Sequence, residues 1–305
     1  DQRLSRGLGD VYKRQVTVGK NGNISVKIGT QSNGQGHETS YAQIVSEILK
    51  VDISQIQILQ GNSNEIPKGS GTGGSRSTPV GGSALKVATE ALLDKSLKIL
   101  SEKYGINSDL ISYKEGVFTF EGKKLSLAEV SNFLSDSKKD LEVDASWTPP
   151  QGSFTYPNGT HICELEVNKE NGKVKILSYF VVDDFGKVIN PMLLEGQVHG
   201  GIVQGIGQAL FEETIYDENG QLLSGSFMDY AIPRASDVPN FNFSYNEIPC
   251  KNNLLGVKGA GEAGAIGAPP AIINALCNAL QVNHIDMPAK PEKLWRIIKD
   301  NNTDY

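Results

Sequence analysis

Three cysteines are all that 305 residues contain, Cys163, Cys250 and Cys277. They lie far apart with no CxxC pair, which excludes a disulfide framework or a cysteine-bound cluster and fits a reducing, cytoplasmic setting. The four histidines, His37, His161, His199 and His284, show neither HxH nor HExxH spacing. They read as hydrogen-bonding core or surface residues rather than metal ligands. No stretch approaches the roughly eighteen continuous apolar residues of a membrane helix, so no membrane span is expected. Lysine and arginine form no run, and with 29 basic against 35 acidic residues the net charge is −6. Nucleic acid is excluded as the main partner.

Glycine is what the chain has in excess. Its 33 glycines, about one residue in nine, exceed the usual share of about 7%, and they concentrate in a few segments. GVKGAGEAGAIGAPP (256–270) carries only two charges, Lys258 and Glu262. So bare a loop implies that something bulky approaches the main chain. At this length two domains or lobes are expected.

Residues 5–15, SRGLGDVYKRQ, look like the in-frame translation of a transposase sequencing adaptor; GAT GTG TAT AAG AGA CAG encodes DVYKRQ. Residues 1–15 are therefore expected to be an artefact fused to a truncated reading frame, with no packing role, and the reading starts at Val16.

Two stretches alternate apolar and polar residues around Asn-Gly turns, 16–30 and 161–182, and both predict hairpins. After the first come a helix bearing Tyr41, Ile44, Val45, Ile48 and Leu49, a strand at 56–60, a Gly-rich loop at 69–82 and a second helix. After the second come a helix opened by Asn190 and Pro191, a strand at 241–248, the loop at 256–270 and a helix. The order repeats, which predicts an internally duplicated α+β fold of mixed sheets with helices, one half at 16–150 and the other at 151–305.

The helix after Asn190 holds Gly196, Gly200, Gly201, Gly205 and Gly207, each less favourable than alanine by about 0.8–1 kcal/mol. Close helix packing or a bound cofactor must offset that. GAGEAG (259–264) fits GxGxxG and raises a Rossmann-type NAD(P)- or FAD-dependent dehydrogenase as the alternative. Pro269 and Pro270 speak against it, because they are expected to open a helix after the loop rather than to lie inside one. A lone carboxylate among glycines, beside a low-dielectric ligand, is suited to general-base chemistry.

Together GQGHET (34–39), GTGGSRST (71–78), DDFGKVINPMLLEGQVHGGIVQGIGQALFEE (183–213), GVKGAGEAGAIGAPPAIINA (256–275) and HIDMPAKPEKLWRII (284–298) resemble the molybdenum-cofactor-binding large subunit of the xanthine oxidase/aldehyde oxidase family, including subunits of carbon monoxide dehydrogenase type. The chain is similar to that subunit's C-terminal lobe, with the N-terminal lobe missing. The resemblance implies a molybdenum–molybdopterin cofactor, commonly the cytosine dinucleotide form. Its molybdenum is held through the pterin dithiolene rather than by protein ligands. By position it assigns Gly34, Gln35, Gly36 and Thr39 to a first cofactor-binding turn and Gly73, Gly74, Ser75 and Ser77 to a second. Gln197, Lys258, Gly259 and Gly261 join them, and Glu262 is the base. It implies hydroxylation of a small molecule with water as oxygen source, and electron transfer to partner subunits carrying [2Fe–2S] clusters and FAD. A catalytically degenerate cofactor-binding subunit is the non-enzymatic alternative, disfavoured by the presence of Glu262.

Overall fold

The computed structural model describes residues 12–66, 69, 71–134, 140–150 and 154–301. The chain divides into two units. Unit 1 takes residues up to Tyr156 together with Gly186–Asn190 and Pro249–Gly259; unit 2 takes Pro157–Phe185, Pro191–Ile248 and Ala260 onward. The linear split at residue 150 therefore misses two short segments from the second half that complete the first unit.

In unit 1, strands β1 (Tyr12–Val18) and β2 (Ile24–Ile28) pair antiparallel about the Asn21-Gly22 turn. Gly22 adopts the positive φ of 85° that such a turn needs. Helix α1 (His37–Leu49) then returns the chain to β3 (Ile56–Leu59), which lies parallel to β2. Helix α2 (Ser83–Tyr104) follows, entered through a wide helical turn at Ser77–Gly82. An excursion adds the small antiparallel sheet β4 (Ser112–Lys114), β5 (Val117–Phe120) and β6 (Lys123–Ser126), and helix α3 (Leu127–Asn132). Strand β7 (Leu141–Trp147) closes the main sheet in the order β3-β2-β1-β7. Alternation buries Val16, Val18, Ile24, Val26 and Ile28 against Tyr41, Val45 and Leu49 of α1 and Leu85, Ala88 and Leu92 of α2. Fully burying one such side chain contributes about 1.5–3 kcal/mol.

Part of the expectation for residues 1–15 is corrected. Tyr12–Gln15 belong to β1, paired with Trp147–Asp144 of β7 on one side, and Arg14 and Gln15 also pair with Ile28 and Lys27 on the other. Gln15 Nε2 donates to Glu142 Oε2 at 3.2 Å. A sheet ladder is made by the main chain and tolerates almost any side chain, so the strand continues back past Val16. Residues 1–11, with Leu8 and Val11, lie outside the described residues.

Unit 2 uses the same order of elements. Strands β8 (Asn158–Val167) and β9 (Val174–Asp184) form an antiparallel hairpin, α4 (Pro191–Leu210) follows, and β10 (Phe241–Asn246) pairs parallel with β9. Helices α5 (Ala263–Leu280) and α6 (Pro291–Asn301) complete it. Hairpin, helix, parallel strand and helix thus occur twice, which gives the α+β fold its internal duplication. Tyr179 and Val181 of β9, Val198, Ile202 and Ile206 of α4, and Ala268, Ile272 and Leu276 of α5 are fully buried in this unit.

Candidate cofactor-binding site

Three segments of unit 1 meet. Leaving β2, residues Gly29–Gly36 make a loop into α1. A second loop lies so close to it that a Cβ on Gly69 would fall 2.4 Å from the Gly29 carbonyl oxygen. Gly71 N donates to that oxygen at 3.2 Å, and Thr72 Oγ1 donates to Gln31 O at 2.7 Å. The third segment arrives from the second half of the sequence. A Cβ on Gly259 would stand 2.2 Å from Ser75 O, so only glycine fits. Leu254 N donates to Ser83 Oγ at 3.2 Å, and Leu255 packs on the core of the unit. Gly34, Gln35, Gly36, Gly73, Gly74, Ser75, Ser77, Lys258 and Gly259 therefore lie on three touching segments, and Thr39 lies in the first turn of α1.

Several residues here have left-handed backbone or face open space. Gly34, Gly36, Gly74 and even Ser75 have φ of 91°, 75°, 59° and 52°. A Cβ added at Gly34, Gly73 or Gly74 would meet nothing within 4 Å. These glycines consequently form a cradle open on one side. Gly36 caps α1 with no side-chain hydrogen bond, and although the Glu38 amide is taken by its own carboxylate, a helix start beside exposed glycine loops favours anionic groups.

Side chains hold the loops in shape. Gln35 Nε2 donates to Gln31 O at 3.1 Å, Tyr41 Oη donates to Ser77 O at 3.1 Å, and the hydroxyls of Thr72 and Ser77 are 3.1 Å apart. Gln60 ties Glu38 and Thr30, donating to Glu38 Oε1 at 2.9 Å and accepting from Thr30 Oγ1 at 3.1 Å. Partial burial works against ionisation of Glu38, but hydrogen bonds from its own amide, Ser32 and Gln60, aided by His37, hold its carboxyl below the ordinary value. Thr72, Gly69 and Gln60 were not singled out from the sequence. Gly69 and Thr72 belong to the bare GSGTGG run, which was the available signal.

In unit 2, Glu262 is the cap residue of α5, with an exposed side chain and a carbonyl that accepts from Ile266 N at 3.0 Å. Gly261 precedes it in the turn, and half-buried Gln197 lies on α4. The helix was expected to begin at Pro269-Pro270; it begins six residues earlier, at Ala263, with both prolines inside. Two missing N–H groups free the carbonyls of Ala265 and Ile266. Packing on α4 makes the arrangement tenable, because a Cβ on Gly205 would fall 2.8 Å from Pro269 Cδ and 2.6 Å from Ala268 Cβ. One turn away the two backbones touch, a Cβ on Gly264 falling 2.5 Å from Val198 O. Close helix packing therefore accounts for Gly201, Gly205 and Gly264, whereas Gly196 and Gly200 face open space.

The Rossmann alternative is corrected on topology. GAGEAG follows a long loop after β10, and no strand follows α5 among the described residues. A βαβ unit needs both. In length and mean hydropathy, 1.3 over 18 residues, α5 does reach what a membrane crossing requires. Its contacts with α4 and β8 show a packed helix of a mixed unit instead.

A family model described as molybdopterin cofactor-binding domain matches residues 7–239. The carbon monoxide dehydrogenase large chain of Afipia carboxidovorans is 33% identical over 93% of this chain and 36% of its own length. The nicotine 6-hydroxylase large subunit of Paenarthrobacter nicotinovorans is 33% identical over 97% of this chain and 38% of its own. The crystal structure of a Cu,Mo-CO dehydrogenase in its carbon monoxide reduced state superposes with a TM-score of 0.86 at 32% identity, over 96% of this chain and 38% of that one. The chain thus spans little more than a third of the relatives it matches.

Proposed function

Because the chain belongs to the molybdopterin cofactor-binding family, within the xanthine oxidase/aldehyde oxidase group, we propose that it is part of the large subunit of a molybdenum-dependent hydroxylase or dehydrogenase. The carrying observation is the open glycine cradle of unit 1. A Cβ at Gly34, Gly73 or Gly74 would meet no protein atom within 4 Å, so the bare backbone has no internal packing purpose. A pyranopterin bearing phosphates fits such a lining, being recognised by main-chain amides at positive-φ glycines and at a helix start.

Gly34, Gln35, Gly36 and Thr39 would hold one part of the cofactor, and Gly73, Gly74, Ser75, Ser77, Lys258, Gly259 and Gly261 the rest. Gln197 would shape the surroundings of the metal, which the dithiolene ligates. When bound, the cofactor supplies two-electron redox chemistry, with water as the oxygen source. Glu262 would take a proton at its carboxylate during that chemistry, and its place at the cap of α5 fixes the main chain from which the carboxylate projects. The substrate is a small molecule, an N-heterocycle, an aldehyde or a related compound. The cytosine dinucleotide form of the cofactor, partner subunits with FAD and [2Fe–2S] clusters, an N-terminal lobe of the same subunit, the absence of a membrane span and a cytoplasmic setting belong to the same reading.

Two substitutions in the full-length enzyme test it. Gly259→Ala drives a methyl group into Ser75 O, and molybdenum and pterin content should fall at least tenfold while the chain stays folded. Glu262→Gln should keep the molybdenum and lower turnover by about the 10²–10⁴-fold of a lost general base. Near-normal reduction by substrate in Glu262→Gln would remove the carboxylate from the mechanism. Full cofactor loading in Gly259→Ala would remove the cradle from cofactor binding.

A further inference from the structure

A polar chain runs through the interior of unit 2. His161 on β8 places Nδ1 2.8 Å from Tyr179 Oη on β9, and its Nε2 lies 3.4 Å from Asp183 Oδ1 on the same strand. The His161 and Asp183 side chains are only 8% and 5% exposed. Asp183 Oδ2 is buried and makes no hydrogen bond among the described residues, so the carboxylate depends on the imidazole. Burial, reinforced by the charge of Asp183, pushes the Tyr179 phenol far above its ordinary value and keeps it protonated. Two glycines make room for the chain. A Cβ on Gly159 would fall 1.8 Å from Asp183 Oδ1, and one on Gly267 would fall 2.6 Å from Cδ2, Cε1 and Nε2 of His161.

Gly267 belongs to α5, five residues after Glu262. The imidazole therefore rests on the backbone of the helix that carries Glu262. That part of the helix needs external support, since Pro269 and Pro270 withhold two hydrogen bonds from its opening turns. Helix α4 supports Gly264 and Ala268, which lie one turn apart on one face. His161 supports Gly267, about 100° round the axis from Ala268. The two contacts thus meet the opening of α5 from two directions.

We propose that His161 is a positioning residue, oriented by Tyr179 and Asp183, that braces the first turns of α5 and so fixes the main chain of Glu262. The proposal rests on Glu262 being the base, and the experiment separates the two. In the full-length, cofactor-loaded enzyme, hydrogen–deuterium exchange would be followed across residues 260–275 in His161→Ala, His161→Gln, Tyr179→Phe and Glu262→Gln. Kinetics would be recorded at matched molybdenum content. In His161→Ala, exchange at 262–268 should rise about tenfold with the rest of the chain unchanged, and kcat should fall about tenfold at constant KM. His161→Gln, whose side-chain amide reaches Asp183, should restore most of both. Unchanged exchange at 262–268 in His161→Ala overturns the brace, whatever Glu262→Gln does. Should His161→Ala unfold the chain, Tyr179→Phe decides: a rise confined to α5 supports the proposal, and a uniform rise or none overturns it. A local rise together with an active Glu262→Gln would keep the brace and remove the base, so kcat in His161→Ala should then be normal.

Discussion

Glu38 is the residue at which hydrogen bonding, partial burial and pH can be set against one another. Its carboxyl accepts from Ser32 Oγ at 3.3 Å and from Gln60 Nε2 at 2.9 Å, and its pKa is lowered although partial burial acts the other way. A depressed carboxylate stabilises the fold fully above the unfolded value, about 4.3, and loses that contribution as pH falls through the lower folded value. Glu38→Gln should therefore lower the melting temperature at neutral pH by a small amount, and the difference from the parent chain should vanish as pH drops below about 4. Thermal unfolding at pH 3 to 7 measures this, and a difference that persists at pH 3 means that the glutamine fails for reasons other than charge.

Among the elements, the glycines of α4 give opposed expectations at equal spacing. At Gly205 the extra methyl meets Ala268 and Pro269 below 3 Å, so Gly205→Ala should destabilise by about 1–3 kcal/mol through overpacking, against a propensity gain of about 1 kcal/mol. At Gly200 nothing stands within 4 Å, so Gly200→Ala in the cofactor-free chain should stabilise by up to about 1 kcal/mol. Denaturant unfolding of both variants distinguishes helix packing from a general preference for small residues. Equal destabilisation would show that the α4–α5 contact is not what selects glycine.

For the molecule as a whole, the consequence of the unit assignment is that the first unit cannot be cut out of the sequence as one piece. Ile189 and Leu255 pack on its core, and Gly259 lies on Ser75. A polypeptide ending at Tyr156 should lose its cooperative thermal transition and bind the fluorescent probe of exposed apolar surface. Leu255→Ala in the complete chain should cost about 2 kcal/mol, toward the low end for a leucine truncation because the site is only partly buried. Cooperative melting of the shortened polypeptide would show that the later segments are not needed.

What the residues determined on their own was whatever depends on near neighbours. Alternation and Asn-Gly turns fixed both hairpins, the 3.6-residue spacing of Tyr41, Val45 and Leu49 fixed α1, and the order of elements disclosed the duplication. The glycine-rich runs were likewise visible, and they carry most of the residues proposed to hold the cofactor. Tertiary structure decided the rest, because it turns on contacts between distant segments. Ser75 and Gly259 are far apart in sequence and touch only once the third segment returns to unit 1. Local chemistry would place a helix boundary at the prolines, but Gly205 of α4 leaves room for Pro269, so the helix runs through them. His161 carried no spacing signal, since its partners and Gly267 are assembled by sheet pairing and helix docking. A main-chain ladder likewise drew Tyr12–Gln15 into β1, because hydrogen bonds between backbones do not depend on which side chains they carry.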